Sequence, residues 1–271
     1  MQPTPKITGK TKFLGGFADP IDHVQASTVL NSIFVERGID AVSIGFHVKS
    51  EHLAEVVAGL KHVRNFCGFG ATIPHKTAIA SFCDELLPNA LASGVVNLIQ
   101  VAPDGRWIGE TFDGIGMVRA IQKQRELGAN TGVLQIGAGG AGCSVAVALA
   151  LEGVGNLTIV NRTQSKADDL AETVRKAAPD CLVETGRDFD LSSFDIAVNT
   201  TSLGMNAEGP SPLDVSKLPK TALVAEAVMV PKMTPLLESA KALNLAFVTG
   251  REMLDEILEV GLDFLLQGVT D

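Results

Sequence analysis

The sequence predicts an α/β protein in two halves, and three observations carry that prediction. From Lys12 to about Ile108, apolar strand-like runs alternate with helical patterns, which implies βαβ units around a mainly parallel sheet. At Thr131 a second half opens with an apolar run, 133–136, a glycine-rich turn and an apolar helix, 144–151. Hydrophobic residues are 46% of the 271 and charged residues 20%, the balance of a well-buried globular chain long enough for one large or two modest domains.

Residues 13–17, 41–46, 66–71 and 94–101 read as strands, and 24–36, 51–61 and 76–86 as helices. Residues 113–127 read as a longer amphipathic helix placed to bridge the halves, with Ile115, Val118, Ile121, Gln122 and Arg125 at helical spacing. A strand at 157–160, a helix at 165–178 and strands at 194–199 and 222–226 follow. Pro210, Pro212 and Pro219 mark the loop between those last two strands. Thr234-Pro235 enters a short helix running to residue 243. Apolar residues at 254, 257, 258, 261 and 265 give a final helix, 253–266, that returns to the first half.

Composition excludes several classes. A net charge of −9 argues against a general nucleic-acid binder, whose phosphate contacts need clustered Lys and Arg. No apolar run reaches the ~18 residues of a membrane span. Residues 1–10 lack the apolar core of a signal peptide, so a cytoplasmic protein is expected. Cys67, Cys83, Cys143 and Cys181 are scattered and read as free thiols of a reducing compartment. His23, His47, His52, His62 and His75 show no paired spacing, so no metal site is expected.

Gly137, Gly139 and Gly142 fit the spacing G-x-G-x-x-G. In such a turn the glycines serve a tight bend, close backbone approach to a pyrophosphate and tight helix–strand packing. The helix beyond offers free N–H groups and a positive dipole end. An NAD site would place Asp or Glu after the strand 157–160, to hold the ribose 2′-hydroxyl; Asn161-Arg162-Thr163 stands there instead. An arginine pairs with a 2′-phosphate that a carboxylate would repel, so the expected cofactor is NADP. The alternative is a glycine-rich turn beside an ordinary surface arginine.

Three further residues are chemical candidates. Lys76, in Thr72-Ile73-Pro74-His75-Lys76, follows a strand's C-terminal edge, where α/β sheets place ligands. Alone, it reads better as a solvated lysine on a first helical turn. Asp113 opens the long helix, and an N-cap there is worth about 1 kcal/mol. Set across a cleft from Lys76, it would instead complete a proton-transfer pair. Asn97 is polar within an apolar run; if buried it must be hydrogen-bonded, to backbone or to a substrate hydroxyl.

Eight motifs then stand in order: Thr72-Ile73-Pro74-His75-Lys76, Gly94-Val95-Val96-Asn97, Asp113-Gly114-Ile115-Gly116, Gly137-Ala138-Gly139-Gly140-Ala141, Asn161-Arg162-Thr163, Asn199-Thr200-Thr201-Ser202-Leu203-Gly204-Met205, Pro231-Lys232-Met233-Thr234-Pro235-Leu236-Leu237 and Gly250-Arg251-Glu252-Met253-Leu254. In these the chain resembles the shikimate dehydrogenase family over nearly its whole length. The resemblance implies a three-layer α/β substrate domain, 1–112 and 250–271, a Rossmann-like NADP-binding domain, 113–249, and a cleft between them. It implies Lys76 and Asp113 as the catalytic pair, with Thr72 and Asn97 as substrate contacts. It implies NADP contacts from Gly137, Ala138, Gly139, Gly140 and Ala141, from Asn161, Arg162, Thr163 and Lys166, from Thr200, and near Gly250.

The departures from the family pattern have a direction. The family's P-I-x-H-S-x-S-P supplies two serines that grip the substrate carboxylate; here Val24 and Ala26 replace them. The tyrosine of D-x-V-Y-x-P is Met229, and the glutamine following M-L-x-x is Ile257. Thr111, Phe112 and Gly70 also depart from the pattern. Groups implied at the reacting hydroxyl are kept, while those implied at the carboxylate become apolar. Each lost hydrogen bond to a charged group is worth about 1.5–3 kcal/mol, unless His23, Gln25 or Ser27 compensates. The expected activity is reversible hydride transfer between NADP(H) and a ring hydroxyl or ketone, with a weakened hold on shikimate and a related cyclic polyol as the other substrate. The alternative is a catalytically silent NADP-binding paralogue. Neither nucleic acid nor membrane is an expected partner, and the choice between monomer and homodimer is open.

Overall fold

The computed structural model describes residues 6–22, 24–186, 188–205 and 210–270. The chain forms two compact units, Met1–Thr111 with Gly261–Asp271, and Phe112–Val260. Each is built on a six-stranded sheet.

In the first unit β1 (Lys12–Ala18) lies between β2 (Ala41–His47) and β3 (Phe66–Ala71), all parallel. Helices α1 (Ala26–Arg37) and α2 (Leu53–Leu60) make the connections. The expected mainly parallel sheet stops there. Two short elements, α3 (Lys76–Ala80) and β4 (Glu85–Leu86), precede α4 (Pro88–Ser93). Strands β5 (Leu98–Val101) and β6 (Trp107–Glu110) then extend β3 as an antiparallel hairpin, and β4 pairs parallel to β6 at the edge. The hairpin is imposed by Pro103-Asp104-Gly105, with Gly105 at φ 86° and the Ala102 N–H bonded to the Arg106 carbonyl. A connection that short joins only antiparallel strands. Phe17, Phe66, Phe69 and Trp107 stack through the core of this unit, Phe17 and Phe69 at 4.5 Å.

Two predicted elements of this half are corrected. The helix expected over 76–86 ends at Ala80, because Asp84 leaves it for the sheet: its N–H reaches the Trp107 carbonyl and its carboxylate accepts the Trp107 N–H. The strand expected from Gly94 starts at Leu98, since Gly94 instead closes α4 in the left-handed conformation.

The second unit is all-parallel, in the order β12-β11-β10-β7-β8-β9. Here β7 is Gly132–Ile136, β8 Asn156–Val160, β9 Leu182–Thr185, β10 Ile196–Asn199, β11 Leu223–Glu226 and β12 Ala246–Val248. This is the doubly wound order, reversing between β7 and β10, and a nucleotide binds beyond the carboxyl ends of the two strands at such a switch point. Around the sheet run α5 (Asp113–Gln122), α6 (Gly140–Leu151), α7 (Gln164–Ala177), α8 (Pro235–Ala242) and α9 (Gly250–Thr270). β9 and β12 were not expected.

α5 stops short of the expected 127 because the Gln124 and Arg125 N–H groups both return to Ile121. Arg125 is then free to clamp Asp195 (2.6 Å) and the Thr221 carbonyl (2.9 Å). The expected boundary at residue 250 moves into α9. Ile257 packs against Gly116, and Glu256 pairs with Lys123, so the first turns of α9 belong to the second unit. Its last turns belong to the first unit, where the Lys12 ammonium caps the Val269 carbonyl at 2.6 Å. Among the described residues no helix is long and apolar enough to cross a membrane.

Candidate active site

In the first unit, Thr72, Lys76 and Asn97 are gathered at one edge of the sheet by backbone bonds. Thr72 donates its N–H to Phe17, and Asn97 takes the Ala71 N–H at 2.8 Å on its carbonyl. The Lys76 carbonyl accepts from Val96 at 2.9 Å, so the lysine's backbone is fixed to the segment carrying Asn97. His75 is buried and its Nε2 bonds the Val48 carbonyl at 2.7 Å, which pins the turn from beneath. Asn97 is itself buried. Asp19 and His47, at the ends of β1 and β2, form a pair at 2.7 Å. The sequence reading passed over that pair.

Val24 and Ala26 are half-buried where the family's serines would stand, and Val24 faces Gly16 of β1. Of the candidates for compensation, Ser27 is engaged, since its hydroxyl accepts from Ser43 at 3.0 Å. Gln25 stands exposed at the start of α1 without capping it. His23 lies outside the described residues.

In the second unit the glycine-rich turn has the geometry a pyrophosphate requires. Gly137 has φ 114°, and a Cβ there would stand 2.6 Å from Thr200 Oγ1. A Cβ at Gly142 would meet the Gly137 carbonyl at 2.5 Å. At Gly139 a Cβ would meet no atom within 4 Å, so the backbone there faces open space. Residue 139 leads into α6 with no side-chain cap, and α6 starts at Gly140 rather than at the expected 144, adding a turn of uncapped N–H groups.

The other nucleotide candidates converge on this turn. Asn161 Oδ1 accepts the Ala138 N–H at 3.2 Å, while its amide donates to Thr163 at 2.9 Å. Thr200 Oγ1 reaches the Ile136 and Gly137 carbonyls, joining the ends of β10 and β7 at the switch point. Arg162 and Lys166 are exposed on the β8–α7 side. Burial raises the Cys143 thiol on α6, and the Lys166 ammonium pulls it down. Gly250 starts α9 hard against Val228, and Met229 lies half-buried next to it in sequence order after β11. The turn and its neighbours fit a dinucleotide phosphate.

Asp113 is buried at the start of α5. The next N–H, of Gly114, donates to Ser144 Oγ on α6 at 2.8 Å. Asp113 is thereby held by the same helix that follows the glycine-rich turn. Ser144 and Gln135 were not singled out from sequence, yet Gln135 Nε2 bonds both the Gly137 and the Gly142 carbonyls.

A buried polar network supports the switch point. Glu226 has no exposed surface, and accepts from Asn199 Nδ2 (2.9 Å), the Val228 N–H (3.0 Å) and the Thr234 hydroxyl (2.9 Å). Burial raises its carboxyl above the ordinary 4.5, opposed by those hydrogen bonds. The raised group binds its proton more tightly when folded, so its ionisation penalty is absent below 4.5 and grows as pH rises through the native value. Glu226→Gln keeps an oxygen for Asn199 and Val228 and turns its amide toward Thr234. Urea unfolding across pH 4–8 is expected to show wild type losing stability relative to Glu226→Gln as pH rises. A difference independent of pH would overturn this.

Burial pushes the Cys83 thiol up to about 11 and raises Cys67 and Cys181. Among the described residues no group of three or more His, Cys, Asp or Glu side chains could hold a metal ion.

Comparison with known proteins agrees with this geometry. The family model for the shikimate dehydrogenase substrate binding domain matches residues 17–99, and that for shikimate/quinate 5-dehydrogenase matches residues 120–204. A shikimate dehydrogenase (NADP(+)) of Geobacter sp. (strain M21) is 37% identical over 257 residues, covering 92% of this chain and 87% of its own length. The chain belongs to the shikimate dehydrogenase family. A crystal structure of a shikimate dehydrogenase in complex with NADP+ superposes with TM-score 0.88 at 32% identity, covering 96% of this chain and 91% of the other. The 5-ketofructose reductase of Gluconobacter sp. strain CHM43 superposes with TM-score 0.84 at 29% identity, covering 96% and 94%. Enzymes of this fold therefore include one named for a ketose.

Proposed function

We propose that this member of the family is an NADP-dependent oxidoreductase that interconverts a secondary alcohol and its ketone on a polyhydroxylated substrate lacking a carboxylate. The observation that carries the reading is the contrast within the first unit. Thr72, Lys76 and Asn97 are kept, on segments joined by the Ala71–Asn97 and Val96–Lys76 backbone bonds, while Val24 and Ala26 leave the carboxylate position apolar. The first unit would hold the substrate and the second the nucleotide.

When bound, NADP(H) supplies or accepts the hydride. The protein's part is orientation and proton transfer. In reduction the Lys76 ammonium gives its proton to the ketone oxygen; in oxidation the neutral amine takes the hydroxyl proton back. The family resemblance makes Asp113 the second catalytic group, and Asn97 and Thr72 position the hydroxyl-bearing carbon. At the nucleotide, the glycine-rich turn takes the pyrophosphate, with Asn161, Thr163 and Thr200 bracing it. Arg162 and Lys166 meet the 2′-phosphate.

5-Ketofructose is an uncharged polyhydroxylated ketone, and the similarity to a reductase named for it supports a substrate without a carboxylate. The names of the curated relatives favour a second reading, turnover of shikimate itself. The deciding assay follows NADPH absorbance with shikimate plus NADP and with 5-ketofructose plus NADPH. A kcat/KM for the ketose at least about tenfold above that for shikimate is expected, given one to two lost charged hydrogen bonds. The reverse ranking would restore the shikimate reading. No turnover of any cyclic alcohol or ketose would favour a silent nucleotide-binding protein. Separately, Arg162→Ala is expected to reduce the preference for NADPH over NADH about tenfold, by loss of a charge-assisted contact. An unchanged ratio of the two affinities would remove Arg162 from the 2′-phosphate site.

A further inference from the structure

Gln135 breaks a rule of the sheet in which it sits. It lies on β7, paired with Val198 on β10 and Ile159 on β8, and has no exposed surface. Strands of a parallel sheet covered on both faces are apolar by default. The amide of Gln135 instead donates from Nε2 to the Gly137 carbonyl at 3.0 Å and the Gly142 carbonyl at 2.9 Å. Its Oε1 is buried and has no hydrogen-bond partner among the described residues.

Turning the amide over would set Oε1 against two carbonyl oxygens, so the donors settle the orientation. An orphaned buried acceptor destabilises a fold, and nothing in the strand ladder needs the amide, because the ladder is made by backbone groups. An apolar side chain is what such a strand ordinarily carries at this position. The amide does serve the glycine-rich turn, since Gly137 and Gly142 are its first and last glycines and one side chain holds both carbonyls.

We propose that Gln135 is a positioning residue for the pyrophosphate of the nucleotide, acting through the backbone of the turn without touching the ligand. In a planar peptide the C=O and the following N–H point in opposite directions. Holding the Gly137 carbonyl inward sends the Ala138 N–H outward, where Asn161 Oδ1 receives it at 3.2 Å. Holding the Gly142 carbonyl fixes the first turn of α6, whose uncapped N–H groups face the phosphate position. Thr200 Oγ1 adds a second donor to the Gly137 carbonyl at 3.2 Å, so the bend is gripped from β7 and from β10. Stability is thus exchanged for a rigid anion site. The inference rests on the NADP reading and adds a residue outside the family's motifs.

The test is NADPH binding, followed by nucleotide fluorescence, beside thermal melting of Gln135→Leu and Gln135→Met. Both variants remove the donor, and the unbranched methionine follows the glutamine's shape if leucine does not fit. The NADPH Kd is expected to rise about tenfold with two hydrogen bonds lost, with Tm unchanged or higher and kcat at saturating NADPH within about twofold of wild type. Gln135→Glu, which keeps the shape but sets a carboxylate against the two carbonyls, is expected to bind no better than the leucine variant. A Kd unchanged in both apolar variants would overturn the proposal. So would a Tm that falls in step with affinity, which marks a purely structural role. Failure of the wild-type protein to bind NADPH would overturn the nucleotide reading itself, and is seen before any variant is made.

Discussion

Lys76→Met is expected to lower kcat by about 10²–10⁴-fold, the usual contribution of a positioned general acid–base, while the NADPH Kd stays within about twofold of wild type. The two readouts separate because Lys76 and the nucleotide turn belong to different units of the chain. Methionine keeps the length and apolar stem of lysine and removes only the titratable head. The backbone at this position is held by the Val96 N–H and by the His75–Val48 bond beneath it, so the turn survives the substitution. A solvated lysine on a short helix would give a different result, since such surface changes alter stability by no more than about 0.5 kcal/mol and leave kcat alone. Measuring kcat and KM with the best substrate, and NADPH affinity by fluorescence, decides between them. A kcat within about threefold of wild type, far short of an acid–base effect, would remove Lys76 from the proton-transfer role and Asp113 with it.

What the sequence makes legible here follows the periodicity of each segment. Residues 133–136 and 157–160 are mainly apolar runs, interrupted by Gln135 and Thr158 and bounded by glycine or polar residues, and both are strands as expected. The turn between them is legible because each glycine has a steric task that no other residue performs, and Gly137 and Gly142 meet those tasks in the structure. The first half is harder. The helix read over 76–86 averages two elements into one period, and only the Asp84–Trp107 bonds, to a residue far along the chain, show where the first ends. The signal for the β5–β6 hairpin was present in Pro103-Asp104-Gly105, a turn sequence between two apolar runs, and was passed over in favour of alternating βαβ units. Gln135 and Ser144 were invisible for another reason. Their value lies in which backbone groups they meet, the Gly137 and Gly142 carbonyls and the Gly114 N–H, and no local pattern encodes those partners.

Restoring the lost serines is the other large effect. Val24→Ser with Ala26→Ser is expected to raise kcat/KM for shikimate by at least about tenfold and by as much as 10³-fold, since two hydrogen bonds to a carboxylate at about 1.5–3 kcal/mol each set the ceiling. The local structure permits the change. Val24 Cγ1 stands 3.8 Å from where a Cβ on Gly16 would lie, and a serine there is smaller. Ala26 is the first residue of α1, whose N-terminus carries no side-chain cap, so a hydroxyl at 26 adds a donor without displacing one. The same double variant is expected to leave kcat/KM for an uncharged ketose unchanged or lower, because a hydroxyl with no anion to meet gains nothing over the apolar wall it replaces. The opposing movement of the two substrates is the informative result, as a general improvement of the fold would raise both. If shikimate turnover is already efficient in the wild type and the serines do not improve it, the carboxylate is held from somewhere other than this loop. The apolar pair at 24 and 26 then has no bearing on specificity, and the contrast with the retained Lys76 and Asn97 loses its meaning.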